Sequence, residues 1–157
     1  MKRKHVEFDL SFATYADVDD IVNILYPGYF EESTYSDLTY DPEMTKRTVI
    51  DWISEPCVIA RVDGKLAGIV AMYFVRTFYK ETECDVIMFY VVPEYRGTGV
   101  ARGLVNALTM ISDKEGAAII YTTSGSGMTG SNNKMYTNLF SKFGFKGLGT
   151  ELIRVNV

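Results

Sequence analysis

Arg96-Gly-Thr-Gly-Val-Ala-Arg102 connects an apolar, β-branched and aromatic run that stops at Pro93 to a helical apolar pattern that starts at Val100. A strand–turn–helix of this kind leaves backbone N–H groups free at a helix N-terminus, where they can bind a phosphate or pyrophosphate. Gly97 and Gly99 carry no Cβ, so the backbone can approach an anion closely and take positive φ. The side chain of Arg96 can add a charge-assisted bond. Two other phosphate-binding patterns fail on their own residues. Gly97, Gly99 and Gly103 imitate a dinucleotide fingerprint, but the next strand ends Tyr121-Thr-Thr-Ser124, with no carboxylate for a ribose. Gly125-Ser-Gly-Met-Thr-Gly-Ser131 has P-loop glycine spacing but lacks the lysine that reaches the terminal phosphates.

The elements that must position this turn follow from hydrophobic periodicity. Val6 to Phe12 alternates as a half-buried first strand. Thr14 caps a helix whose apolar positions Val18, Ile21, Val22 and Leu25 run up to Pro27-Gly28. Residues 29–40 are aromatic and acidic and read as a short helix and loop. Asp41-Pro42 opens a second helix carrying Val49, Trp52 and Ile53. Cys57–Val62 and Leu66–Val75 are strands joined by an Asp63-Gly64 hairpin turn, and Cys84–Val92 is a fourth strand. The helix from Val100 stops at Gly116. Ala117–Thr123 follows as a strand apolar enough to be buried on both faces. A Gly/Ser loop over 124–132, a helix over Asn133–Phe143 closed by Gly144, and a last strand over 151–157 complete the order βααβββαβαβ. That order fits a doubly wound parallel sheet poorly.

Composition sets further bounds. The 157 residues suffice for a single domain, 1–157, with its own core. A net charge of −4 argues against non-specific nucleic-acid binding. Between His5 and Thr45 ten acidic residues meet no Lys or Arg, whereas basic residues outnumber acidic ones from Gly97 onward. Such an asymmetry suits a cationic acceptor and an anionic cofactor, or simply two solvated faces. Cys57 and Cys84 lie in apolar, strand-like surroundings and read as buried small hydrophobes, not as a disulfide framework or a metal site. Glu7 and Asp9 interrupt any signal-peptide core, and no apolar run is long enough to span a bilayer. The expectation is a cytoplasmic protein with no membrane and no metal.

Arg96, Gly99 and Ala101 fill the (Gln/Arg)-x-x-Gly-x-(Gly/Ala) pattern, and Asn133, Leu139, Lys142, Gly144 and Phe145 match Asn-x-x-Ala-x-x-Leu-Tyr-x-Lys-x-Gly-Phe. These stretches resemble motifs A and B of the GCN5-related N-acetyltransferases. Two positions of the second pattern depart: Tyr136 stands for the usual alanine and Phe140 for the usual tyrosine. The resemblance implies a mixed, mostly antiparallel twisted α/β sheet flanked by helices, whose fourth and fifth strands splay apart around the pantetheine arm. It implies acetyl-coenzyme A as cosubstrate. The pyrophosphate would lie on Arg96, Gly97, Thr98, Gly99, Val100, Ala101 and Arg102, and the pantetheine along the backbone of Tyr90, Val91 and Val92. Asn133 would be a pantetheine contact, a helix cap or both. Arg102 or Lys134 would face the 3′-phosphate.

Acyl transfer to an amine requires a neutral amine, a polarised carbonyl and alignment. Asp85 is the first candidate base, with Glu83 acting through water as the alternative. In an unbroken strand Asp85, Ile87, Phe89 and Val91 would share one face. Both carboxylates are also readable as exposed charges at a strand start. Tyr136 lies one helical turn before Phe140 on the same face, so it can replace the missing tyrosine as acid to the thiolate, or pack in the core. The implied acceptor is a primary amine, with cationic character suggested by the aromatic and acidic residues Tyr26, Tyr29, Phe30, Tyr35, Tyr40 and Trp52 and their neighbours. A silent coenzyme A-binding or protein-binding module is the alternative function, and a homodimer is left open.

Overall fold

The computed structural model describes residues 5–33, 38–78, 80–123 and 131–147, without the side chains of Pro27 and residues 131–133. The loop over 124–130 and the last strand expected over 151–157 lie outside these residues. The elements are β1 (Asp9–Phe12), α1 (Val18–Ile24), α2 (Pro42–Ile53), β2 (Cys57–Val62), β3 (Lys65–Val75), β4 (Thr82–Val91), α3 (Val100–Lys114), β5 (Ala117–Thr122) and α4 (Ser131–Ser141). The five strands form one sheet in the order β1-β2-β3-β4-β5. Its first three pairings are antiparallel and β4–β5 is parallel. A parallel pair needs a crossover, and α3 supplies it.

Strand alternation divides the core between two faces. On one, Ile59, Ile69, Ala71, Met88 and Tyr90 pack with Val18, Ile21 and Leu25 of the first helical segment and Val49 of α2. On the other, Val58, Ala60, Val70, Met72, Cys84 and Val91 pack with Val100, Leu104, Val105 and Leu108 of α3 and Phe140 of α4. Both cysteines are buried and free, and burial pushes the Cys57 thiol up to about 12.

Local chemistry sets the turns. Asp63 (φ 49°) and Gly64 (φ 77°) both take positive φ, the geometry that matches a two-residue hairpin to strand twist. Asp41 accepts from the Met44 amide at 3.0 Å and Pro42 occupies the first turn of α2. At the start of the first helical segment, Asp17 accepts from both the amide and the hydroxyl of Thr14, each at 2.8 Å. No helix among the described residues is long and apolar enough to cross a membrane.

Three expectations change. The first strand shortens to Asp9–Phe12 and is exposed throughout, with burial coming from Val6 and Phe8, which precede it and pack beside α3. The first helix does not stop at Pro27-Gly28. It widens into a π turn over Leu25–Phe30, a wider helical turn that accommodates a residue with no N–H to donate. Finally, β5 is not buried on both faces. Ile119 and Tyr121 are about two-fifths exposed (40% and 41%), because α3 and α4 cover one face of β5 while α1 and α2 lie over β2–β4.

Arg61 on β2 ties the sheet to the first helical segment through Asp17 at 2.7 Å and Asp20 at 2.8 Å. Burial works to raise the Asp17 pKa, but the bonds from Arg61 and Thr14 outweigh it and hold the carboxyl below its ordinary 3.8. A depressed carboxylate contributes stability above its unfolded pKa and loses it as pH falls through the folded value. Arg61→Met should therefore cost about 1 kcal/mol at neutral pH, measured by denaturant unfolding. The gap from the parent should close as pH drops below 3.8. A gap constant down to low pH would assign the loss to packing instead.

Candidate active site

β4 ends at Val91, the Val92 amide still donates to Ala67 at 3.0 Å, and Pro93–Tyr95 forms a single tight turn. Gly97 (φ 78°) and Gly99 (φ 114°) then swing the chain into α3 through the left-handed region, where L side chains are strained. Buried Thr98 locks the loop by donating its hydroxyl to the Tyr95 carbonyl at 2.6 Å. Gly99 is the cap of α3 and offers no side-chain acceptor. The Gly103 amide makes the first backbone bond inside the helix, to Gly99 at 3.0 Å. The amides of Val100, Ala101 and Arg102 are thus the unpaired donors expected at a helix start, with no acidic side chain in that turn. Arg102 lies exposed beside them. A Cβ on Gly103 would fall 2.6 Å from the Phe8 ring, so this glycine is set by packing.

The side chain of Arg96 is bonded within the protein. Its Nε donates to the Val91 carbonyl at 2.9 Å, one terminal nitrogen pairs with Glu32 at 2.8 Å, and the guanidinium lies 5.6 Å from the centre of the Tyr90 ring. The arginine therefore fastens the loop to the end of β4 and to the segment after α1. Glu32 is a partner that one-dimensional periodicity could not supply, since it lies far upstream in the chain.

The gap between β4 and β5 is the central geometry. β5 pairs with β4 only from Thr82 to Val86, the last pair being Val86 with Thr122. Among the described residues β4 continues alone on that side to Val91, and a bulge at Ile87 interrupts its pairing with β3, where Ala71 faces Met88 and Met72 faces Val86. Because Val92 bonds to β3, alternation of the antiparallel ladder turns the backbones of Tyr90 and Val92 toward β3 and those of Phe89 and Val91 toward the gap. Of the three expected backbone contacts, only Val91 faces the gap; Phe89 joins it and Tyr90 and Val92 do not. The side chain of Tyr90 points into the α1–α2 core, where burial, aided by Glu32 and opposed by Arg96, pushes its pKa up to about 12.

The bulge also separates residues expected on one face. Phe89 and Val91 look toward α3 and α4, whereas Ile87 packs in the α1–α2 core. Asp85, alternating with Val86, shares the face of Ile87 and not that of Phe89 and Val91. Asp85 is partly buried. Glu83 is only 7% exposed and accepts from the Thr77 hydroxyl at 3.0 Å.

Tyr136 and Phe140 do share a helix face, stacked at 4.4 Å, and each meets Phe89 edge-on. The Tyr136 hydroxyl hydrogen-bonds the hydroxyl of Thr122, the residue of β5 at which the strands part. Phe140 is buried among Phe89, Tyr136 and Phe145. Lys134 is exposed on α4, and the side chain of Asn133 lies outside the described residues. Five of the six aromatic residues singled out between Tyr26 and Trp52 lie among the described residues. Tyr26, Phe30 and Tyr40 form one ring cluster, Tyr29 meets Phe30 and Tyr90 edge-on, and Trp52 packs in the core, while Tyr35 lies outside the described residues.

Comparison with known proteins agrees with this geometry. The model of the acetyltransferase (GNAT) family matches residues 18–145. A search of curated proteins finds no match. Among solved structures, a ribosomal-protein-alanine N-acetyltransferase from Brucella melitensis superposes with a TM-score of 0.72 at 17% identity, covering 96% of this chain and 100% of the other. A predicted acetyltransferase with acetyl-CoA from Clostridium acetobutylicum gives 0.69 at 16% identity, covering 96% of each chain. AAC(6')-Iy in complex with the bisubstrate analogue CoA-S-monomethyl-acetylneamine gives 0.71 at 12% identity, covering 96% and 99%. At these identities the likeness shows a shared fold.

One contact under the site is open to a direct test. A Cβ added at Gly28 would lie 2.0 Å from the Tyr90 hydroxyl, and Tyr90 is fully buried. Gly28→Ala should cost about 1–3 kcal/mol by overpacking, read as a fall in Tm. Adding Tyr90→Phe, which deletes the clashing oxygen, should recover part of that loss. No recovery would mean that the π turn itself rejects a side chain.

Proposed function

The chain belongs to the GNAT acetyltransferase family, and we propose that it moves an acetyl group from acetyl-coenzyme A to a primary amine by direct attack in a ternary complex. The supporting observation is the coincidence of two features: an uncapped α3 N-terminus and, leading to it, a β4 edge left unpaired beyond Val86 among the described residues. The amides of Val100, Ala101 and Arg102 suit a pyrophosphate, and the glycines keep side chains out of its approach. The gap-facing backbone of Phe89 and Val91 suits the amides of an extended arm. Val91 retains a free lone pair on its carbonyl although Arg96 already bonds to it.

The amine attacks the thioester carbonyl, a C–N bond forms, the C–S bond breaks, and the amine loses a proton while the sulfur gains one. Asp85, on the bulge face, is the base in this reading, directly or through water, with Glu83 behind it. Tyr136 is the acid. Its hydroxyl is held by Thr122 at the mouth of the gap, within reach of a thiolate leaving there. A second reading, a coenzyme A-binding module without turnover, draws on Phe140, which has no hydroxyl and is buried.

Two measurements test these assignments. Calorimetry should register acetyl-coenzyme A binding to the parent and its loss in Gly99→Glu, which sets a carboxylate against the anion seat. Equal affinity in both would sink the loop assignment. In a thiol-release assay, Tyr136→Phe should lower turnover by about 100-fold with little change in Tm. Full activity would remove Tyr136 from the acid role, and no turnover in the parent with any amine would favour the silent module.

A further inference from the structure

The ion pairs among the described residues connect different parts of the chain. Asp17, Asp19 and Asp20 link the first helical segment to Arg61 of β2 and Lys46 of α2. Those contacts join one element to its packing neighbours. The Arg96–Glu32 pair instead crosses from the segment after α1 to the turn that precedes α3, with 2.8 Å between the charged atoms. A carboxylate on one side of the site therefore holds a cation that stands beside the anion seat on the other.

The guanidinium is engaged in three directions. Its Nε donates to the Val91 carbonyl at 2.9 Å, a terminal nitrogen meets Glu32, and its central carbon lies 5.6 Å from the centre of the Tyr90 ring. Tyr90 is a fixed support: it is fully buried, meets Tyr29 edge-on at 6.2 Å and sets its hydroxyl against Gly28. The Val91 carbonyl faces the gap beside β4, so the arginine already fills one of its two lone-pair directions. One bond from Nε would leave a long side chain much of its rotamer freedom. A second bond at the far edge of the planar fork removes it. An unpaired arginine next to an anion seat would turn to the anion, since charge-assisted bonds to phosphate are strong. Glu32 competes for that charge.

We infer that Glu32 is a positioning residue for the pantetheine arm: acting through Arg96, it keeps the guanidinium on the Val91 carbonyl and off the pyrophosphate. The inference rests on the acetyl-transfer reading above. In this arrangement the anion seat consists of the backbone amides at the start of α3. Arg96 sets the direction of the carbonyl whose remaining lone pair accepts from an amide of the arm. Without Glu32 the arginine leaves that carbonyl and follows the phosphate charge. The two parts of coenzyme A then respond in opposite senses, the arm losing a fixed partner and the pyrophosphate gaining a cation. A lysine at position 96 cannot take over, because one ammonium nitrogen cannot stand where both Nε and the terminal nitrogen stand.

The test dissects the cosubstrate. Calorimetry gives the affinity of coenzyme A, and displacement of coenzyme A by ADP gives that of a pyrophosphate with no arm. Glu32→Gln, which keeps the shape and removes the charge, should shift the ratio of the two dissociation constants by about 5-fold against coenzyme A. Arg96→Lys should shift it in the same direction. A partly unfolded variant would weaken both ligands alike and leave the ratio unmoved. In an Arg96→Ala background Glu32→Gln should have no further effect on the ratio, because the residue acts through the arginine. An unchanged ratio in the single variant overturns the inference, as does a full shift in the Arg96→Ala background. ADP that fails to displace coenzyme A from the parent also overturns it, since the amide seat would then bind nothing on its own. A parent that binds no coenzyme A refutes the acetyl-transfer reading and this inference with it, whereas a parent that binds coenzyme A with a ratio insensitive to Glu32 refutes the positioning role alone.

Discussion

The constraint on which the rest depends is that, among the described residues, β4 has a partner along nearly all of its length on one side and along half of it on the other. β3 pairs from Glu83 to Val91, whereas β5 stops at Val86. An unpaired backbone inside a sheet is unfavourable unless something bonds to it. Arg96 meets part of that need by donating to the Val91 carbonyl. The rest of the exposed edge, at Phe89 and Val91, leads straight to the uncapped start of α3. Between them the amides of the turn are bonded internally, Tyr95 to Val92, Arg96 to Pro93 and Thr98 to Tyr95, so the open edge and the helix start are two backbone surfaces held at a fixed distance by a closed turn.

The bulge at Ile87 gives β4 two faces with different duties. Before it, Asp85 and Glu83 look toward the side of α1 and α2; after it, Phe89 and Val91 look toward α3 and α4, where they meet Tyr136 and Phe140. Without the extra residue, Asp85 would align with Phe89 and Val91, as simple alternation requires. A one-residue insertion thus moves a carboxylate to the opposite side of the sheet from a phenol.

Much of this was legible in the residues themselves. Gly97 and Gly99 mark the turn because positive φ there is costly for any other residue, and Asp63-Gly64 marks the hairpin for the same reason. The helical and strand periods located the described α-helices and strands but not the π turn over Leu25–Phe30, and Tyr136 and Phe140 fell on one face as their spacing requires. What escaped was non-local. Nothing in a strand's own composition says where its neighbour will stop pairing or where a bulge will fall, so the free amides were placed on Tyr90 and Val92 as well as Val91. The partner of Arg96 is Glu32, across the chain, and β5 looked buried on both faces although the helices reach one of them. Apolar composition reports a strand's preference; coverage depends on the reach of other elements.

The Arg96–Glu32 pair also explains how a loop and a distant helix end can act together. Both side chains are about a quarter exposed (25% and 24%), so the pair is less screened than a fully solvated one. Through it the segment after α1, whose π turn packs Tyr29 against the side chain of Tyr90, is joined to the residue that begins the glycine turn. Tyr90 lies between them, its ring beneath the guanidinium and its hydroxyl against Gly28. The segment after α1 is thereby coupled to Arg96, and Arg96 to the carbonyl of Val91 in the gap. The two sides of the site are mechanically joined by three side chains rather than by the sheet alone, which gives the otherwise surface-like Glu32 a structural reason to be acidic.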